Sequence, residues 1–515
     1  MITIKKFLLF TSFILLAYSC LTHPFEVPDE NAHYSSLNFL YNEGRMPTVS
    51  DKDNLSKEEL EVEQIFGIVE HENKYSYHPE YRIEQVAGPI GKYEGMIREL
   101  NTEANRTTYA THQSALYPPL YYWVTIPFFA SVQNQDILTR LFVSRLSSVM
   151  LTVLTVYIAY LIGLELFQDK KYALTVAFMT LFFPMTTYIG SGVNSDNLHN
   201  FLFAVSSLLF IKLIYHGWSR NLSLLIGAFI GLDLITKPQA YILFPIFALS
   251  IIIRWKWSEW RTILKSSIYI ILPILVIAGW QEIPKLFGNT PYISNVINYA
   301  NVDRLHTNFL DFARGYIHTH LAEMPVWYWG VFKWFGVVLP RPLWWLGTRL
   351  LGLTVIGLLL RFYRDFKTKK ISPESKFIIF AIGANVIYAL ALFWFDWQFY
   401  QQIGRSLGLQ ARYYMPLLIT QMSLILLGLT NLGWTKQVQN YIRNFLIIFF
   451  LALQLSSIYT QLHSYYDFTS TTIFMDQLSQ YKPIYAKDSW WYLWFTLYFT
   501  GIITTTYIAL RGKKR

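Results

Sequence analysis

Apolar residues in this chain come in long unbroken runs separated by short polar clusters. They show neither the alternation of a half-exposed strand nor the narrow stripe of a surface helix. A helix needs about 20 mostly apolar residues to cross the hydrocarbon core of a bilayer. Runs of that kind lie at 7–22, 140–163, 172–190, 198–216, 221–236, 238–254, 266–280, 343–361, 376–395, 412–430, 442–460 and 488–510. They predict an all-α polytopic membrane protein of about 12 transmembrane helices with a large first extracytoplasmic loop.

The pattern divides the chain into a first helix (1–22), a long loop with juxtamembrane or re-entrant helices (23–139), helices two to seven (140–280), a second long loop (281–342) and helices eight to twelve with a short basic tail (343–515). Within the first loop, 50–64 reads as a short amphipathic surface helix. Pro118 to Val132 is apolar enough to enter a membrane, yet the alternation of loops forbids it as a crossing, so it is expected to be re-entrant or interfacial. A third polar stretch, Gln461 to Lys487, precedes the last run.

Composition agrees. Of 515 residues, 53% are hydrophobic and only 15% charged, against roughly 25% charged in soluble domains. The net charge of +10 does not point to nucleic acid, because the basic residues sit in short loops, as the positive-inside rule expects. Lys170-Lys171, the Arg254 to Lys265 and Arg361 to Lys370 stretches, Arg443 and the tail Arg511 to Arg515 are therefore expected in the cytoplasm. Lys5-Lys6 before the first run gives it the form of a signal peptide or a signal anchor; no clean small-x-small cleavage site follows, so it is expected to be a retained helix with a cytoplasmic N-terminus. The single cysteine, Cys20, excludes an internal disulfide framework.

Chemistry-capable residues gather in the alternate, outer loops. Asp29-Glu30 follows the first run, with His33 four residues after Asp29 and so on the same helical face. Two adjacent carboxylates cannot share one helix face, so one can meet a substrate while the other is bound internally. The bland alternative makes Asp29 a helix cap and Glu30 a first-turn acid. His112 precedes Tyr117-Pro118-Pro119, where the prolines suit a helix start. Asn194 and Asp196 stand at the start of a run, again with capping as the bland reading. Lys237 and Arg412, the latter within Gln410-Ala411-Arg412-Tyr413, oppose the charge bias of their side of the membrane. Both suit a phosphate, although Lys237 could simply snorkel.

In this order the pieces resemble the GT-C superfamily of polytopic glycosyltransferases, which use sugars carried on polyprenyl phosphates. Asp29-Glu30 looks like its acidic motif. Tyr117-Pro118-Pro119-Leu120-Tyr121-Tyr122-Trp123 looks like a stretch of the aminoarabinose-transferase and mannosyltransferase-like branches, with Tyr117 where those carry His or Lys. The Pro28-Asp29-Glu30 start and the Gln410 to Tyr413 piece are most similar to an uncharacterised membrane family of this group. The resemblance spans residues 1 to about 420.

It implies an inverting transfer from a polyprenyl-phosphate-sugar donor to a lipid, glycan or protein acceptor at the outer face of a bacterial-type plasma membrane. Asp29 and Glu30 are the expected catalytic pair, with Asp29 as the base. His33, His112, Tyr117, Asn194, Asp196, Lys237, Gln410, Arg412 and Tyr413 are the expected substrate-binding residues. No cofactor is certain; a divalent ion, if one is used, would sit on Asp196 or Glu30. The rival readings are a flippase or transporter for lipid-linked sugars, a polysaccharide polymerase, and a non-catalytic assembly or sensor protein. Convergence of Asp29, Asp196, Lys237 and Arg412 on one cavity separates the enzymes from the last of these.

Overall fold

A computed structural model describes residues 2–68, 82–84, 86, 88, 90–287, 308–333, 336–404, 406 and 411–511. The chain starts with α1 (Ile2–Leu21) and α2 (Glu30–Glu43). The first loop continues through α3 (Lys57–Phe66), α4 (Lys92–Glu99) and α5 (Glu103–Thr107). An antiparallel ribbon, β1 (Leu55–Ser56) on β2 (Tyr109–Thr111), ties it together, and α6 (Leu120–Ala130) ends it. Next come α7 (Ile137–Phe167), α8 (Lys170–Leu181), α9 (Pro184–Gly190), α10 (Asp196–His216), α11 (Arg220–Leu234), α12 (Leu243–Arg254) and α13 (Trp260–Lys285). After α14 (Phe309–Trp327) and a second ribbon, β3 (Val331–Phe332) on β4 (Val337–Val338), the chain ends in α15 (Arg341–Thr368), α16 (Pro373–Ile403), α17 (Leu418–Asn431), α18 (Lys436–Tyr465), α19 (Thr471–Ser479) and α20 (Trp490–Arg511).

Every predicted run falls on a helix. Among the described residues, nine helices are long and apolar enough to span a bilayer, or ten if α8 and α9, bent by 61° at Pro184, count as one span. The expected twelve is not reached, because α11 and α12 stop short. At about 1.5 Å per residue, the 15 residues of α11 cover about 22 Å, less than the ~30 Å core. The break between them falls at Lys237-Pro238, where proline cannot continue the helix. The segment predicted to be re-entrant contains α6, an 11-residue helix of about half a crossing.

Helix starts follow local chemistry. The carboxylate of Asp136 accepts the N–H of Thr139, and Ser219, Ser372 and Thr435 cap α11, α16 and α18 in the same way. Two helix crossings are set by glycine. A methyl group on Gly357 of α15 would lie 1.8 Å from the Gly428 carbonyl oxygen of α17, and one on Gly227 of α11 would lie 2.1 Å from the Ile270 carbonyl oxygen of α13. Backbones come that close only where no Cβ intervenes.

The predicted surface helix at 50–64 is α3, started by a full capping box between Ser56 and Glu59. Only one face lies at the surface, with Lys57 and Gln64 exposed. Glu58, Glu59, Val62, Glu63 and Phe66 are buried. Glu58 receives Arg140 of α7 at 2.5 and 2.6 Å, and this pair fastens the first loop onto the bundle.

Candidate active site

The end of α1 builds one wall. A helix C-terminus leaves carbonyls without intrahelical partners. Arg145 of α7 supplies donors: Nη1 reaches the carbonyls of Ser19 and Thr22, both at 3.0 Å, and Nη2 that of His23 at 2.9 Å. Lys482 adds a bond to the Thr22 carbonyl at 2.8 Å, and burial holds its amine well below the usual lysine range. Arg145 Nε and Nη2 then grip Glu30 with two bonds of 2.7 Å. Glu30 also accepts the N–H groups of Phe25 and Val193, each at 2.9 Å. Both members of the pair are fully buried.

This arrangement replaces the expectation that Glu30 takes part in catalysis or holds a metal. Both carboxylate oxygens already accept two bonds each. Glu30 joins the turn after α1, the span α7 and the loop before α10, and leaves nothing for a substrate.

Asp29, one residue earlier, faces elsewhere. Its backbone is left-handed (φ 63°, ψ 11°), and its side chain makes no capping bond to α2. Asp tolerates this conformation at a cost of about 1 kcal/mol. The turn separates the two neighbouring acids. Oδ2 of Asp29 lies 2.9 Å from Nη1 of Arg412, with the Asp29 side chain 41% exposed and that of Arg412 only 6%. The Arg412 guanidinium also stacks on Tyr413 at 5.1 Å, and its Nε has no partner among the described residues.

The second acid–cation pair stands beside the first. Asp196 opens α10 and is ion-paired to Lys237, both nearly buried. Asn194 receives the backbone N–H of Asp196 at 2.8 Å. It also donates to the Pro28 carbonyl at 2.7 Å, and Arg412 reaches the same carbonyl at 3.3 Å. The residue before Asp29 thus joins both pairs. Lys237 Nζ sits 5.1 Å from the Tyr117 ring, which stacks on His33 at 5.4 Å. His33 lies within electrostatic reach of Asp29, Lys237, Asp196 and Arg412. Its Nδ1 is 2.8 Å from the Tyr122 hydroxyl. Burial lowers it to about 4, so it is a neutral hydrogen-bonding group near pH 7.

Eight of the sequence-predicted residues therefore share one cluster: Asp29, His33, Tyr117, Asn194, Asp196, Lys237, Arg412 and Tyr413. His112 does not join it. It is exposed and bonds Asn54 at 2.7 Å, which steadies the turn before β1. Gln410 lies outside the described residues. Sequence reasoning missed His199 and Asp233, which form a buried 2.8 Å pair behind Asp196 and Lys237. The signal was present, since ionisable side chains inside apolar runs mark function by default. The same clue was present in the run at 140–163 for Arg140 and Arg145, which sequence reasoning also missed.

The donor set does not fit a divalent ion. Asp29 and Asp196 each face a cation and Glu30 is saturated. No group of three His, Cys, Asp or Glu residues that could hold a metal occurs among the described residues.

A sequence profile described as a predicted membrane protein family, DUF2142, matches residues 10–420. This meets the resemblance to an uncharacterised membrane family. No curated protein matches the sequence. Among solved structures, ArnT from Cupriavidus metallidurans bound to undecaprenyl phosphate is similar with a TM-score of 0.45 and 13% identity, covering 99% of this chain and 78% of that one. The oligosaccharyltransferase of Archaeoglobus fulgidus, in complex with Zn and sulfate, is similar with a TM-score of 0.42 and 14% identity, covering 89% of this chain and 53% of that one. This chain spans about half of the latter's length.

Proposed function

This chain belongs to the DUF2142 family of predicted membrane proteins, and we propose that it is a membrane glycosyltransferase of the GT-C type. It moves a sugar from a polyprenyl-phosphate-linked donor to a lipid, glycan or protein acceptor, at the extracytoplasmic face that the basic loops leave to these residues. The observation that carries the reading is the meeting of a half-exposed carboxylate, Asp29, with two buried cations, Arg412 and Lys237, in one cluster.

Asp29 is the general base. It takes the proton of an acceptor hydroxyl as that oxygen attacks the anomeric carbon. The bond from that carbon to the phosphate oxygen breaks, and its electron pair leaves with the polyprenyl phosphate. A single displacement of this kind inverts the anomeric centre. Arg412 and Lys237 stabilise the charge gathering on the leaving phosphate. Such electrostatic stabilisation is usually the largest single contribution to catalysis, and both cations already sit in a low-dielectric wall. The neutral His33, Tyr117 and Asn194 shape the floor and exclude water.

Asp29→Asn tests the assignment, with transfer from a labelled lipid-linked sugar as the readout. Loss of transfer by about 10²–10⁴-fold with normal expression is expected. Transfer that survives the change overturns the role of the base.

A further inference from the structure

We propose that His199 and Asp233 form a positioning pair that holds Lys237 and Asp196 at the phosphate-binding end of the site; this rests on the function proposed above. Helices α10 and α11 pack side by side. Asp196 and His199 are three residues apart on α10. Asp233 is in the last turn of α11 and Lys237 lies three residues past its end, where the Asp233 carbonyl accepts the Lys237 N–H at 3.0 Å. The spacing on α10 stacks its two side chains one turn apart, and the backbone bond keeps Lys237 beside Asp233. The two helices therefore carry two rungs. In the outer rung the acid is on α10 and the cation, Lys237, stands just past the end of α11; in the inner rung the histidine is on α10 and the acid on α11. Each acid has a basic group across from it and another along its own segment of chain, and the electrostatic neighbours bear this out: Asp196 feels Lys237, Arg412 and His199, while Asp233 feels His199 and Lys237. From α16, Tyr388 faces both acids.

The inner rung is expensive. His199 Nε2 and Asp233 Oδ2 are buried without a partner among the described residues. Burying such atoms unpaired is costly, and an apolar pair would fill the space at less expense. A pair that stabilises poorly but fixes geometry is suited to a site in which Lys237 must keep its place when a phosphate competes with Asp196 for it. His199 and Asp233 act through Lys237 and do not touch the substrate.

Binding of a polyprenyl monophosphate to the purified full chain in lipid nanodiscs tests this without knowledge of the sugar or the acceptor. His199→Gln removes the donor that meets Asp233, whereas His199→Asn keeps an N–H close to the position of Nδ1. The expected result is about tenfold weaker binding for His199→Gln, equivalent to about 1.4 kcal/mol, and near-normal binding for His199→Asn. In a Lys237→Met background His199→Gln should have no further effect, because its influence passes through Lys237. Asp233→Asn, which keeps the size and one acceptor, provides a second route should His199→Gln fail to fold, and should weaken binding in wild type but not in Lys237→Met. Equal losses in both backgrounds, or unchanged binding in His199→Gln or Asp233→Asn, overturn the inference while leaving the proposed function standing. A wild-type protein that does not bind the probe overturns the proposed function, and the inference with it.

Discussion

Two adjacent carboxylates with opposite roles offer the sharpest test of the site. Glu30→Gln and Asp29→Asn are the same chemical change one residue apart. At position 30 the change leaves the Arg145 guanidinium buried with no counter-charge, and turns an amide NH2 toward donors on Arg145, Phe25 or Val193. Breaking a buried ion pair from one side costs about 3–5 kcal/mol. At position 29 the carboxylate is 41% exposed, although its partner Arg412 is nearly buried; solvent screening on the acid's side makes the loss smaller than at position 30, and Asn accepts the left-handed backbone as readily as Asp. Thermal or SDS-titrated unfolding in detergent should show Glu30→Gln destabilised by about 3–5 kcal/mol and Asp29→Asn by clearly less. Transfer activity should show the reverse dependence: Asp29→Asn inactive though folded, and Glu30→Gln active in proportion to the folded fraction. Equal stability of the two single variants would refute the division of labour, as would an active Asp29→Asn.

Glu63 offers a pH test. Burial raises its carboxyl to about 7, although Asn31 and Gln113 hydrogen-bond to it at 3.1 and 2.8 Å. A carboxyl raised on folding stabilises most below its unfolded value, near 4.5, and that stability is lost as pH climbs toward 7, by about 3 kcal/mol in all. Glu63→Gln keeps an acceptor for both amides and should flatten the stability profile between pH 4.5 and 7; an unchanged slope counts against the assignment. At the α15–α17 crossing, Gly357→Ala places a methyl group 1.8 Å from the Gly428 carbonyl oxygen, and the helices must part. A loss of about 1–3 kcal/mol by thermal unfolding is expected, and an unchanged melting temperature would show that the crossing yields freely.

Much of the site was legible because charges that oppose the loop bias, such as Lys237 and Arg412, announce themselves against an apolar background. Tyr413 followed from its place next to Arg412, and Tyr117 from its place before Pro118-Pro119. The roles within the acidic pair were not legible. A capping Asp29 and a catalytic Glu30 were both open from sequence. The choice fell to Arg145, an arginine 115 residues away whose donors capture Glu30 and the end of α1 together. His112 looked eligible by its place before Pro118-Pro119, and the turn through Asn54 carries it to the surface. The His199–Asp233 pair escaped because its members belong to different apolar runs, and only helix packing makes them neighbours.

By itself the sequence determined where the helices lie, because crossing a bilayer demands a local stretch of apolar residues and little else. It also determined which polar groups stand at helix ends, since prolines, caps and charges act within a turn of their own position. The tertiary structure decided which of those ends meet. It turned Asp29 away from Glu30 through one left-handed residue and stacked Asp196–Lys237 over His199–Asp233. Contacts between residues far apart in the chain depend on how whole helices pack, and no local pattern encodes them.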